Sequence, residues 1–489
     1  PSLPNTTSTR GSVGAMAQTE TIWVFGDQLN RAIGAMATAN PKTHRILLIT
    51  AKDKIASRAW HPARVTLYTR AIEAFAGELR DAGFQVDHQH AESMRAAVKA
   101  HRASHSPTLI TVTEPNSFTA RQLVKELDCN VVRSNQFLTH PDEFAAWADT
   151  RKSFKMEDFY RWQRRRLDYL IDGDEPSGGE WNYDEQNRER PPKDGHDRWP
   201  APVDVWATTR AGALERLDFF IKRVLPMFGP HEDAMLADNW HLAHSVLSPY
   251  LNLGLLLPGE VCDRVEKEFR AGRVPINSAE GFIRQIIGWR EYVWNLYWRW
   301  MPEYASLNAL DAQLDLPPLF TGAAPTQMRC VSGILSDIEA RGWVHHIPRL
   351  MVLGNLALIA GINPQQFTRW MWESFVDSAE WVMVPNVIGM SLFADGGKMA
   401  TKPYAAGGAY IDRMSNYCKG CAYDRTKRVG DDACPFTTLY WDFMLRHADR
   451  FVKNPRMSTQ IRAAQKLGDA EGVRHRAKEV LTRLCEGNL

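Results

Sequence analysis

The strongest constraint on this chain is a change of rhythm along it. Up to about residue 140, short β-rich apolar runs alternate with segments of helical period, and beyond about Trp206 no strand signal recurs. The runs TIWVFGDQL (21–29), RILLIT (45–50), GFQVDH (83–88), PTLITVT (107–113) and CNVVRS (129–134) read as strands. Between them ARVTLYTRAIEAFAGELRDAG and SFTARQLVKELD repeat apolar residues at helical spacing. The alternation predicts a doubly wound parallel sheet over residues 20–150, and the remainder predicts an all-α unit over residues 206–489. Such sheets bind ligands at the carboxyl ends of their strands. The GDQL corner, Gly26 to Leu29, sits at such an end, although Gly-Asp is equally an ordinary turn.

With 489 residues and 44% hydrophobic content, the chain is long enough for two cores. Residues 1–19, rich in Ser, Thr, Gly and Pro without an apolar stretch, read as a disordered leader and not as a signal peptide. Residues 151–205 read as a linker with a basic helix, dense in Gly, Pro and charge after DYL. A net charge of +2 places any nucleic-acid contact on a local basic face. Seven cysteines without a disulfide-like framework, and no apolar run of membrane length, point to a reducing, cytoplasmic location.

The segment Val384 to Phe436 concentrates glycines, aromatics and three cysteines, and reads as a site. Cys418 and Cys421 form a C-x2-C pair, and Cys434 follows after a twelve-residue loop in a CP dipeptide of the kind that ends iron-sulfur ligand runs. Cys129, Cys262 and Cys485 lie in ordinary helical or terminal contexts, which leaves Cys330 as the best remaining candidate for a fourth ligand. Four thiolates suit structural zinc or an iron-sulfur cluster, and spacing alone does not separate them; unrelated buried thiols are the simpler alternative.

Other stretches have two readings each. In SFKMEDFYRWQRRRLDYL, Arg161, Arg164, Arg165 and Arg166 interleave with aromatics, which suits either phosphate contacts or a solvated face. HSVLSPYLNLGLL offers Ser245 or Ser248 as a helix N-cap, or free N–H groups for an anion. FIRQIIGWREYVWNLYWRWMP is apolar on nearly every face, as a central helix would be. In WVHHIPRLMVLGN the adjacent His345 and His346 are not expected to face one direction on a helix, and such a pair is more often structural than catalytic. No G-x-G occurs, which excludes a Rossmann fingerprint.

The stretches PNVIGMSLFADGG and TKPYAAGGAYIDRMSNYC-x2-C, the FYR-x2-RR helix and GG-x-WN-x-D-x2-NR (178–188) resemble those of the bacterial iron-sulfur photolyases and cryptochrome-like proteins, the prokaryotic (6-4) photolyase group. The resemblance covers nearly the whole chain after the leader. It implies a sheet domain with an antenna chromophore and an all-helical FAD-binding domain carrying a 4Fe-4S cluster on Cys330, Cys418, Cys421 and Cys434. It places FAD against His244, Ser245, Leu247, Ser248, Gln285, Arg290, Met383 and Asn386, with Arg349 and Asp377 as an ion pair facing the ring. His345 and His346 fall beside the lesion pocket as catalytic residues. Met390, Lys402, Tyr404 and Tyr410 fall on lesion contacts, and Arg161, Arg164 and Arg165 on the DNA-facing helix.

The implied activity is light-driven repair of (6-4) photoproducts in UV-damaged DNA by a monomer, with magnesium as an auxiliary cation; the alternative is a blue-light photoreceptor with little or no repair activity. The chain departs from its relatives in three places. Where they carry an acidic residue and a Tyr after the second strand it reads TAKDKIASRAWHP, which weakens the expectation of a 6,7-dimethyl-8-ribityllumazine antenna. Their aromatic electron relay keeps its proximal member, Trp370, but the next falls on Met371 and the outer one on Phe320. The residue facing flavin N5 is Met383, which cannot hydrogen-bond there as an amide or carboxyl does.

Overall fold

The computed structural model describes residues 19–153, 155–191 and 206–489. Most of the expected leader and residues 192–205 of the expected linker lie outside the described residues. All five expected strands form: β1 (Glu20–Val24), β2 (His44–Ala51), β3 (Gln85–Ala91), β4 (Ile110–Thr113) and β5 (Asn130–Val132). They pair in parallel in the order β3-β2-β1-β4-β5, with Ile22 of β1 opposite Ile46 on one side and Thr111 on the other.

Side chains alternate across a strand, so a sheet covered on both faces needs apolar residues at successive positions. Ile22, Val24, Ile46 and Leu48 pack on Leu67, Ala71 and Phe75 of the helix Pro62–Asp81, in one core with Leu253 and Phe282 of the helical unit. Trp23, Phe25, Leu47 and Ile49 point the other way, onto Ala97 and Val98 of the helix Met94–His105 and Val124 of the helix Phe118–Glu126.

Beyond Trp206 the described residues form helices joined by loops and no further strand. The long aromatic stretch is helical as expected, in three parts: Ile276–Ile283, a wider π-type segment Arg284–Arg290, and Glu291–Trp300. It also holds the two units together. Glu291, fully buried, accepts from the backbone N–H groups of Leu138 (2.8 Å) and Thr139 (2.9 Å). Leu29 N–H of the GDQL corner donates to Leu253 O at 2.9 Å. Gly254 has φ +79°, and a Cβ there would lie 2.7 Å from Ile33 Cδ1 and 3.2 Å from Asp27 O, so only glycine permits this approach. The corner is therefore a turn, and it is also the seam between the units.

The described part of the expected linker is packed. The helix Met156–Leu167 buries Phe159, Tyr160 and Gln163, and Arg164 with them. The Arg164 guanidinium donates to the carbonyls of Tyr169 (3.3 Å), Glu180 (3.4 Å), Trp181 (2.9 Å) and Leu170. A guanidinium spent on four carbonyls at zero exposure brackets a loop and does not meet phosphate, which corrects the DNA role expected of Arg164. Arg161 pairs with Glu157 at 2.8 Å, and the exposed Arg165 lies 4.3 Å over the Trp181 ring. Arg164→Ala, which strands these carbonyls, is expected to cost about 2–4 kcal/mol in denaturant unfolding, against less than about 0.5 kcal/mol for Arg165→Ala.

Candidate functional site

The site is organised by the loop after the helix Pro364–Ser374. Its Asp377, 5% exposed, receives Arg349 in a bidentate pair, Nη1 to Oδ1 at 2.9 Å and Nη2 to Oδ2 at 3.1 Å. Oδ2 also accepts from Ser248 Oγ (2.6 Å) and Trp343 Nε1 (3.0 Å), and the Asp377 carbonyl accepts from Asn252 Nδ2 at 2.6 Å. Ser248 is therefore a partner of the carboxylate and not a cap. The short helix Ser248–Asn252 has Leu247 at its cap position without a side-chain bond, while Ser245 Oγ accepts from Leu247 N at 3.4 Å.

Next to the pair stand three histidines. His345 stacks on His244 with ring centroids 3.9 Å apart and planes 20° off parallel, and His346 meets His244 at 5.3 Å. The expectation that adjacent histidines diverge fails because His345 lies just outside the helix and only His346 has helical backbone, so both converge on His244. Burial drives His244 and His345 well below the usual imidazole range, which leaves both neutral. His244 Nδ1 donates to His241 O at 3.0 Å, so its tautomer carries a bare Nε2. His346 is 46% exposed, with Nε2 3.9 Å from Asp233 Oδ1. Asp233 in turn lies 3.8 Å from Arg188 Nε. Tyr404, Tyr410, Met390 and Lys402 are half-buried, with both tyrosines in the field of Asp233 and Arg188.

The four expected cysteines converge. One cavity is lined by Cys330, Cys418, Cys421 and Cys434 together with Tyr417 and Phe436. Cys330 comes from the first turn of the helix Arg329–Arg341, and Cys434 immediately precedes the helix Pro435–Arg446. A Cβ on Gly408 would stand 3.0 Å from Cys434 Sγ, so glycine keeps the cavity open on that side. Cys129, Cys262 and Cys485 lie elsewhere, as expected.

A family profile described as "Deoxyribodipyrimidine photo-lyase-related protein" matches residues 22–224. A (6-4) photolyase of Agrobacterium fabrum (strain C58) is 37% identical over 493 residues, covering 93% of this chain and 96% of that one. The chain belongs to the (6-4) photolyase family. Its fold is that of a bacterial class III photolyase from Agrobacterium tumefaciens (TM-score 0.60, 17% identity, 97% of this chain and all of the other). It is similar also to a Synechocystis cryptochrome (TM-score 0.58, 13% identity, 95% and 99% coverage).

The family implies FAD, and the residues present fit a polar ligand. Buried His244 Nε2, His345 Nδ1 and Ser391 Oγ have no hydrogen-bond partner among the described residues. Gly354 faces Ser391, where a Cβ would come within 2.0 Å of Oγ and 3.0 Å of Arg349 O. Met383 is buried, and Asn386 turns its amide back to Val382 O at 2.8 Å.

Two of the expected cofactor residues face different surroundings. Gln285 donates to Glu232 and to Gly281 O (3.3 Å). Arg290 donates instead to Gln136 O (3.0 Å) and Glu291 (3.2 Å), beneath Phe137 at 4.0 Å, so it belongs to the seam between the units. Trp370 donates to Phe320 O at 2.6 Å and lies 6.3 Å from Phe375, whose ring sits 4.0 Å beneath the Arg349 guanidinium. The indole that touches the Arg349–Asp377 pair is Trp343, which has Trp240 at 5.5 Å. Sequence reasoning missed Trp343, Glu232 and Asp233. Trp343 stood two residues before His345, and HED at 231–233 was the only local cluster of charge in its stretch.

Burial raises Glu232 to about 8, far above a solvated carboxyl. A carboxyl whose folded pKa exceeds its unfolded value binds its proton more tightly in the native state, so its contribution is fully present below about 4.5 and is lost as pH rises through about 8. Thermal unfolding across this range is expected to show wild type falling relative to Glu232→Gln as pH increases, with the gap closing again in acid. A pH-independent difference would show that Glu232 does not titrate in this window.

Proposed function

We propose that this chain repairs (6-4) photoproducts in UV-damaged DNA by light-driven electron transfer from excited, reduced FAD. The observation that carries the reading is the histidine group beside the Arg349–Asp377 pair, in a chain 37% identical to a (6-4) photolyase. FAD would be held by Ser245, Leu247, Ser248 and Gln285 on one side and by Met383 and Asn386 on the other, with Arg349 and Asp377 nearest the ring. When bound and excited, it supplies one electron to the lesion.

The chain's own residues do the remaining work. The lesion must leave the duplex to be reached, and a damaged dinucleotide unstacks at lower cost than an intact one. Tyr404, Tyr410 and Met390 offer half-buried faces to the extruded bases. Lys402 supplies positive charge, and the exposed Arg165 is available to phosphate, with Arg161 able to reach it by giving up its Glu157 pair. His346 reaches solvent on one side and the Asp233 carboxylate on the other, the arrangement required of a group that gives up a proton and is reloaded. His345, buried and neutral, positions His346 and keeps water from the stack. Trp370 and Trp343 are the oxidisable rings around the pair, and Met371 interrupts the relatives' relay after Trp370.

The cysteine cavity is proposed to hold a 4Fe-4S cluster. A single tetrahedral zinc with 2.3 Å bonds needs sulfurs about 3.8 Å apart. Among the described residues, the side-chain groups with every ligand atom within 4.8 Å of the others contain histidines and carboxylates and no cysteine set. A polynuclear cluster is the better fit to wider thiols. At the GDQL corner Gly254 and Gln136 pack directly on Asp27, so we assign no residues there to a ribityllumazine, and none to Mg2+.

His346→Ala is expected to lower repair of a defined (6-4) lesion at least about 100-fold while FAD stays bound and DNA affinity changes little. Wild-type repair by both the His345→Ala and the His346→Ala proteins would remove the histidines from the chemistry. Failure of chemically pre-reduced wild-type protein to repair the lesion would favour a photoreceptor. Cys330→Ser is expected to lose iron and acid-labile sulfide, with Cys129→Ser, Cys262→Ser and Cys485→Ser retaining both. Full iron content in Cys330→Ser would exclude it as a ligand.

A further inference from the structure

The sheet face turned away from the helical unit carries a second convergence of metal-ligating side chains. His101 and His105 are one turn apart on the helix Met94–His105, so both point to the same neighbour, the edge strand β3. There Asp87 Oδ2 lies 2.6 Å from His101 Nδ1 and 3.4 Å from His105 Nε2, and the three ligand atoms all fall within 4.8 Å of one another. Tetrahedral zinc with nitrogen and oxygen ligands places them about 3.3 Å apart; the 3.4 Å Asp87–His105 contact already matches this, and the 2.6 Å Asp87–His101 contact would have to open by about 0.7 Å.

The surrounding groups hold each ligand by its other atom. His101 Nε2 is 2.8 Å from the buried Thr21 Oγ1, and Asp87 Oδ1 accepts from Gln89 Nε2 at 2.7 Å. Metal-binding imidazoles and carboxylates are anchored in this way by second partners. Arg45, the neighbouring cation, is turned to Gln85 Oε1 at 2.5 Å. The side chains grade outward from His101 at 0% exposure through Asp87 at 13% to His105 at 26%, so one coordination position opens to solvent.

We propose that Asp87 Oδ2, His101 Nδ1 and His105 Nε2 bind a zinc-class divalent cation that clamps the helix Met94–His105 to the edge of the sheet, independently of the flavin and cysteine sites. In the zinc-binding tautomer His101 Nε2–H donates to Thr21. In the metal-free alternative Nδ1–H donates to Asp87, and the trio is only a hydrogen-bonded cluster.

The test is calorimetric titration of Zn2+ into the full-length, cluster-loaded protein, with zinc-edge X-ray absorption on the product. One equivalent is expected to bind, with nitrogen and oxygen neighbours at about 2.0 Å and no sulfur at about 2.3 Å. His105→Ala, a change at the rim that leaves the core intact, and Asp87→Asn should each weaken binding at least about tenfold. No uptake by wild type, a sulfur shell, or wild-type titrations in both variants would overturn the proposal.

Discussion

One buried carboxylate ties the site together. Asp377 takes Arg349, Ser248 and Trp343 on its oxygens and Asn252 on its carbonyl, so segments more than a hundred residues apart are fixed by a single side chain. The flanking carbonyls are not free either: Arg64, from the sheet domain's helix Pro62–Asp81, donates to Ser378 O at 2.6 Å and Val376 O at 3.2 Å. A carboxylate at 5% exposure is costly to desolvate unless its lone pairs are filled, and here the bidentate guanidinium and two further donors fill them. The loop therefore has one low-energy arrangement, and the two units are locked in register around it.

The same logic governs the seam. Glu291 is pushed to about 7 and Arg290 down to about 10, both by burial, yet Glu291 meets two backbone N–H groups and Arg290 the Gln136 carbonyl. Replacing either by an apolar residue would leave those backbone groups stranded at the junction. These charges act as brackets for the crossing chain at 136–139. A polar junction of this kind holds the sheet domain at a fixed distance from the histidine group, which an apolar interface of the same area would specify less sharply.

Much of the fold was legible because periodicity reports burial directly. The strands carry apolar residues at successive positions because helices cover both faces, and the aromatic stretch reads as central because Tyr292, Trp294 and Tyr297 are buried. Three of the four cysteines were legible because thiol spacing survives folding as a local signature, whereas Cys330, far upstream, was reached by elimination and resemblance. What stayed hidden depends on long-range partners. Arg164 and its exposed neighbour Arg165 belong to one run of arginines, and the carbonyls of residues 169–181 that hold the Arg164 guanidinium in the core are not visible in that run. Likewise Trp343 and Glu232 acquire meaning from Asp377 and Gln285, far along the chain.

The histidine group shows how a local break in structure creates chemistry that regular structure would forbid. On a continuous helix residues 345 and 346 would point about 100° apart, and one of them would leave the pocket. Because helical backbone starts only at His346, His345 is free to turn back and lie flat on His244. Stacking and burial then hold two imidazoles neutral while the third keeps both solvent and an anion within reach. The division of labour among chemically identical side chains is thus set by where the helix begins.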